Sequence, residues 1–375
     1  METRLPRSIR YTFTLMGIML SIYAIIVARE FLYPLVFAWL LAYLLFPLVN
    51  YLEKKDVPRI LAIMISLILT IGLLYGASLF LFRRIGGLID DIPVLKQQAL
   101  ANVDHFLVSI QDTFGIKENR LEILIRDSIG SIFEAGSDKF NHLFFNTTGA
   151  LLKILLLPVY IFLFLYYRTK MAYFILKMVA DNKRLVTINV LREISTVAAR
   201  YMGGVFIVVI CLAVMNSIGL SIIGIKYPVF FGIISAIPAF IPYFGTFIGG
   251  SIPVAFALLT MDSPMFALKI ILLYYISHFI ESNLLSPNIV GDQLKINPFF
   301  IIIGLIAASM VWGIPGMLVI VPVLGMLKIL FENITALHPV AYMLGPKGTR
   351  KHAISMENAQ KRYYKTINFF RRLKF

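Results

Sequence analysis

The chain has 375 residues, 59% of them hydrophobic and only 15% charged, with a formal net charge of +15 and a mean hydropathy of +0.83. Soluble domains run at about 45 to 50% apolar and about 25% charged, so a single soluble core is excluded as the home for this much apolar surface. The only cysteine, Cys211, lies inside an apolar run, which excludes an intrachain disulfide and a cysteine-built metal cluster and reads as a small buried hydrophobe.

Arg4, Arg7 and Arg10 precede an apolar run over 11 to 28 that has the outline of a secretory signal. The run is too long for a signal core and no small-residue cleavage site follows, so it reads as a retained first helix. Further apolar segments cover 31 to 52, 60 to 82, 149 to 167, 201 to 224, 228 to 260, 264 to 285 and 298 to 334. About 20 apolar residues carry a helix across about 30 Å of hydrocarbon, so most of these are single spans. The segments 228 to 260 and 298 to 334 are too long for one straight helix and contain proline and glycine, so each reads as a hairpin or a broken helix. The expected fold is all-α, a polytopic helical bundle of about eight spans. The expected divisions are N-terminal transmembrane helices (1–82), an extracytoplasmic helical projection (83–148), a transmembrane core (149–334) and a basic cytoplasmic tail (335–375).

The connecting segments carry the orientation. Lys54, Lys55 and Arg59 follow the second apolar segment; Arg168, Lys170, Lys177, Lys183, Arg184, Arg192 and Arg200 follow the fourth; many more follow Lys347. By the positive-inside rule these faces and both termini are expected in the cytoplasm, with the protein in a bacterial inner membrane. The region 83 to 148 carries Asp90, Asp91, Asp104, Asp112, Glu118, Glu122 and Asp127 and is expected outside, and Leu121, Leu124, Ile125, Ile129 and Ile132 have helical spacing within it. Lys361, Arg362, Lys365, Arg371, Arg372 and Lys374 alternate with Tyr363, Tyr364, Phe369 and Phe370 in the tail. Beside a membrane the simplest partner for that tail is the anionic inner leaflet, not nucleic acid.

The search for reaction chemistry is negative: no glycine-rich phosphate loop, no His-Glu-x-x-His pair and no Gly-x-Ser-x-Gly occurs. No enzyme activity, cofactor or metal is expected. The sequons Asn146-Thr147-Thr148 and Asn333-Ile334-Thr335 are patterns short enough to arise by chance.

Two constellations remain. His278 and Glu281 stand three residues apart on one face of the seventh apolar segment, with Asn283 just beyond. An ionisable group there costs at least about 2.5 kcal/mol on insertion scales, so it faces a cavity, a partner or a pathway; the alternatives are a local cap for Glu281 and an interhelical hydrogen bond for His278. The second constellation is backbone. Pro238 and Pro242 remove helical hydrogen bonds ahead of Gly245, and Gly313, Pro315 and Gly316 do the same later. Freed carbonyls at membrane depth are tolerated only against protein or a water-filled cavity, and paired broken segments point to a transporter's substrate site; an ordinary kink is the alternative.

The block from Glu281 to Gly291, which includes Ser286, Pro287 and Asn288, follows Ile241-Pro242-Tyr243-Phe244-Gly245 and precedes Asn297-Pro298 and Gly313-Ile314-Pro315-Gly316. As a set these resemble the autoinducer-2 exporter family of bacterial permeases, most strongly over 201 to 334. Asn297 departs from the histidine that relatives often carry there. The resemblance implies an integral membrane permease of seven or eight spans, an exporter of autoinducer-2 or an ion antiporter, assembled as a homo-oligomer. A secondary transporter is the expected function; a passive channel and a membrane scaffold without transport are the alternatives. The expected coupling residues are Glu281, His278 and Asn283, with Pro238, Pro242, Gly245, Pro287, Gly291, Gly313, Pro315 and Gly316 as backbone breaks along the pathway.

Overall fold

The computed structural model describes residues 7–114, 127–128, 130–131, 148–291 and 295–346, and every regular element among them is helical. The helices are α1 (Arg7–Val27), α2 (Arg29–Glu53), α3 (Arg59–Phe114), α4 (Thr148–Met178), α5 (Arg184–Ile223), α6 (Pro228–Ala236), α7 (Gly245–Thr260), α8 (Met265–Ile280), α9 (Pro298–Trp312), α10 (Ile314–Glu332) and α11 (His338–Leu344). Six stretches are long and apolar enough to cross a membrane: α2, Arg59–Leu88 of α3, Leu155–Met178 of α4, Asp181–Ile223, Met265–Val290 and α10. The chain is a multi-pass membrane protein.

Apolar side chains face outward over most of these helices, as lipid contact requires, and small residues line the seams. Between α2, α3 and α4 the fully buried positions are Ala38, Val49, Ala62 and Ile63, backed by Ile161 and Leu165. Lipid tails are as apolar as leucine, so close backbone approach and packing hold helices together here. At one end of the bundle the same three helices are tied by charge. Glu53 contacts Arg168 and lies 3.4 Å from Arg59 Nε. Arg59 also donates to Tyr166 O at 3.3 Å and Thr169 Oγ1 at 2.7 Å. Lys54 and Lys55 are here too, so this is the basic end.

At the opposite end α3 does not stop. It runs unbroken through position 82 to Phe114, about 84 Å at 1.5 Å per residue, so its far half stands outside any bilayer. The projection expected after residue 83 is thus, as far as Phe114, the continuation of a transmembrane helix. Leu121, Leu124, Ile125, Ile129 and Ile132, like the basic tail from Lys347 onward, lie outside the described residues.

The two long apolar segments both fold back. The first becomes α6, a tight turn over Ile237–Phe240, and α7. Neither arm is long enough to cross the membrane, and both feet lie at the end where α3 emerges. The second becomes α9 and α10, which pack together from the basic end; Asn297 N–H bonds Leu344 O at 2.8 Å there. The bundle therefore contains two hairpins with feet at opposite ends, and of their four arms only α10 is long enough to span.

Candidate functional site

α8 passes into a wide π-type turn over Glu281–Val290 rather than ending. Pro287 has no N–H to give to the carbonyl four residues back, and its ring displaces that carbonyl, so the helix widens to five-residue closures such as Gly291 N–H to Ser286 O at 2.9 Å. Gly291 ends the turn at φ +64°. Such widened turns inside helices often mark functional sites. Glu281 is the first residue of this one, about 24 Å along from the start of α8 at 1.5 Å per residue. It therefore lies within the apolar stretch Met265–Val290, where α8 passes into the wide turn.

The Glu281 carboxylate is mostly buried, and its Oε2 has no hydrogen bond and lies 3.5 Å from His278 Nδ1. The same nitrogen lies 3.1 Å from Thr246 Oγ1, on the second arm of the first hairpin. One nitrogen thus stands between two oxygens. With a proton on Nδ1 the imidazole donates toward the carboxylate or the threonine oxygen. With a lone pair there it accepts from the Thr246 hydroxyl and leaves the carboxylate bare. The Phe247 ring lies 5.5 Å from the imidazole, centroid to centroid.

A cavity of about 330 Å³ adjoins Glu281. Its walls are Tyr201 and Val205 of α5, Ser282 and Ser286 of the wide turn, and Ala239 and Pro242 of the hairpin tip. This volume falls in the range of small-molecule pockets, and a few polar groups in an apolar lining suit a small polar solute.

The structure brings together Glu281, His278, Pro242, Pro287 and Gly291. Pro238 and Gly245 shape the hairpin tip without lining the cavity. The site places Gly245 in a tight contact: a side chain there would sit on the Pro238 carbonyl, and one at Gly249 on the Ser235 carbonyl. This Gly-x-x-x-Gly pair lets the two arms of the hairpin touch backbone to backbone. Asn283 is exposed, and its amide bonds Phe279 O at 2.9 Å and Ser282 Oγ at 3.1 Å, so it serves its own helix. Gly313, Pro315 and Gly316 shape the tip of the other hairpin, where Trp312 Nε1 bonds Ile25 O at 3.3 Å, away from the cavity.

Sequence reasoning missed a buried polar cluster one turn from His278. Asn216 Nδ2 donates to Ser235 Oγ at 3.3 Å, Ser277 Oγ donates to Asn216 Oδ1 at 2.9 Å and Tyr274 OH donates to Ser235 Oγ at 2.6 Å. All four side chains are buried, and the cluster joins α5, α6 and α8. The available signal was an uncharged amide in the middle of an apolar run.

Similarity to known proteins fits this architecture. A family profile described as AI-2E family transporter matches residues 12–336. The chain is 29% identical over 314 residues to YueF of Bacillus subtilis, a candidate transport protein, covering 81% of this chain and 84% of YueF. It is 27% identical over 328 residues to YrrI of the same organism, also a candidate transport protein, covering 85% and 91%. Against YhhT of Escherichia coli, described in the same terms, identity is 19% over 321 residues, covering 85% and 89%.

Proposed function

Since the chain belongs to the AI-2E transporter family, we propose that it is a secondary transporter in which Glu281 binds and releases a proton or cation as a small solute or ion moves through the cavity beside it. The observation that carries this reading is the Glu281 carboxylate. It is mostly buried inside the bundle, has one oxygen without a hydrogen bond, and adjoins a cavity lined in part by a hairpin tip. A carboxylate in that setting is costly to keep without a role. The His278 nitrogen beside it can face the carboxylate or bond Thr246 and leave the carboxylate bare, and coupling requires two such arrangements.

A passive channel would need an open path past the hairpin tip. The backbone contacts at Gly245 and Gly249 close the hairpin on itself, which favours a carrier that exposes the cavity to one side at a time. The proposed setting is the bacterial inner membrane with the basic end cytoplasmic, and the proposed assembly is a homo-oligomer, supported by the broad apolar faces left outside the bundle. Autoinducer-2 and monovalent cations are the solutes to try first. In proteoliposomes, uptake of autoinducer-2 and sodium–proton exchange are compared for the wild type and Glu281→Gln. Gradient-dependent, saturable flux lost in the variant supports the carrier. Flux that neither saturates nor responds to a gradient supports a channel, and wild-type flux in Glu281→Gln removes the coupling role.

A further inference from the structure

The first hairpin is gripped at both feet by the part of α3 that leaves the membrane. At the foot before α6, Tyr227 OH donates to Gly87 O at 2.7 Å and contacts the Asp91 carboxylate, and Lys226 Nζ pairs with the same carboxylate. At the foot after α7, Asn102 Nδ2 donates to Leu259 O at 3.0 Å and Met261 O at 2.9 Å. Those carbonyls belong to the last turn of a helix and have no partner within it, so the amide satisfies what the helix leaves open. Between the two grips Leu95 and Ala99 are buried, with exposures of 3% and 0%. The grips stand about 22 Å apart along α3 at 1.5 Å per residue. Tyr227 holds φ +64°, a left-handed backbone that a tyrosine adopts only when its surroundings compel it.

We infer that the α3 extension is a strap on the re-entrant hairpin, with Asp91 and Asn102 as positioning residues that hold the hairpin tip against Glu281 and close the cavity toward the extension end. The inference rests on the reading of that cavity as the transport pathway. It follows from where the hairpin is held. The tip carries Ala239 and Pro242 of the cavity wall and, just beyond, Thr246, which bonds His278. The arms are locked to each other at Gly245 and Gly249, so the hairpin moves as one piece. A rigid piece fixed at its feet has its tip fixed as well, and freeing the feet frees the tip. Near the tip, Ser235 is held by Asn216 and Tyr274 of the buried cluster, so the feet share the hold on the hairpin with that cluster.

The test reads the accessibility of the tip. With Cys211→Ala as background and Ala239→Cys as reporter, a membrane-impermeant maleimide is applied to sealed vesicles of either orientation. The intact strap is expected to give labelling from the basic end only. Asp91→Asn combined with Asn102→Ala is expected to raise labelling from the extension end about tenfold, the shift in an opening equilibrium that one or two lost hydrogen bonds produce. Asp91→Lys alone is expected to do the same by placing two cations together, and adding Lys226→Asp is expected to return the rate to that of the wild type. Unchanged labelling in the Asp91→Asn, Asn102→Ala protein, or fast labelling that survives the charge swap, overturns the strap. Flux measured on the same vesicles separates the two claims. Unchanged labelling beside an inactive Glu281→Gln carrier removes the strap and keeps the site. The expected labelling response beside wild-type flux in Glu281→Gln keeps the strap as a hairpin clamp and removes the cavity as the pathway, and with it the role inferred for the strap.

Discussion

Glu281 and His278 divide the work of one site between a charge and a switchable donor. Glu281→Gln keeps the shape and the hydrogen-bonding capacity but removes titration, so flux in proteoliposomes is expected to lose its pH dependence at matched protein levels; an unchanged pH profile would leave a hydrogen bond as its only role. Asn216 is the residue on which the neighbouring elements depend. Asn216→Ala leaves Ser277 without its acceptor and Ser235 with only Tyr274 as donor, at an expected cost of about 1 to 3 kcal/mol. Membrane reference states find substitute partners, so the lower part of that range is expected in a detergent unfolding curve. The same comparison explains what the sequence made visible. A carboxylate in an apolar run stands out by itself, whereas Asn216 gains meaning only from Ser235 and Ser277, 19 and 61 residues away. Asn283 was singled out by closeness along the chain, yet its amide turns back onto its own helix at Phe279 O.

At the scale of elements, the hairpin α6–α7 depends on glycine at two contacts. Gly249→Leu drives a side chain into the Ser235 carbonyl, a backbone atom that has no rotamer to move, so a loss of more than about 2 kcal/mol and reduced yield in the membrane are expected. Gly245→Leu is expected to behave alike because the Pro238 carbonyl occupies its space, so lost flux in that variant reports a damaged hairpin rather than a blocked pathway. Pro238, Pro242 and Gly313 announced that both long segments break. They did not tell from which end each hairpin enters, because that depends on where the feet are anchored.

The strap adds a dependence on pH whose sign can be worked out. Its contacts, Lys226 first and then Tyr227, hold the Asp91 carboxyl below its ordinary value of 3.8. Stability from Asp91 is therefore complete above 3.8 and lost as pH falls through the lower folded value. Desolvation, followed by the hydrogen bond to Asp91 and the charges of Asp91 and Asp90, pushes the Tyr227 phenol from 10.0 up to about 12. Stability from Tyr227 is complete below 10.0 and lost as pH rises through about 12. The strap is thus expected to be indifferent to pH across the neutral range and to loosen at both extremes. Tyrosinate absorbance of the wild type minus that of Tyr227→Phe should show one phenol titrating near 12; a component near 10.0 would mean that the phenol is free of Asp91.

For the molecule as a whole, charge sets the expected topology. The basic end, with Glu53, Arg59 and Arg168 clamped across three helices, is expected to face the cytoplasm, and the α3 extension to face away from it. Impermeant labelling of single cysteines in intact cells should modify a site near Asp112 and spare one near Lys55; the reverse pattern would invert the protein. The helical, polytopic nature of the chain was legible from composition and run length alone. The length of α3 was not, since its charged and apolar residues past position 82 read as a separate projection until the helix proved continuous.

The hairpin α6–α7 also constrains how the protein is made. A ribosome delivers residues 228 to 260 before α8 exists, so when the hairpin emerges it has α5 beside it but lacks Tyr274, Ser277 and His278. Its turn carries carbonyls freed by Pro238 and Pro242, and its arms are too short to insert as ordinary spans. The hairpin is therefore expected to reach its final seat only after α8 has been threaded and supplies these partners. Seating of this core thus depends on a helix made after it, and a chain stalled before residue 277 would lack the partners of Asn216 and Thr246.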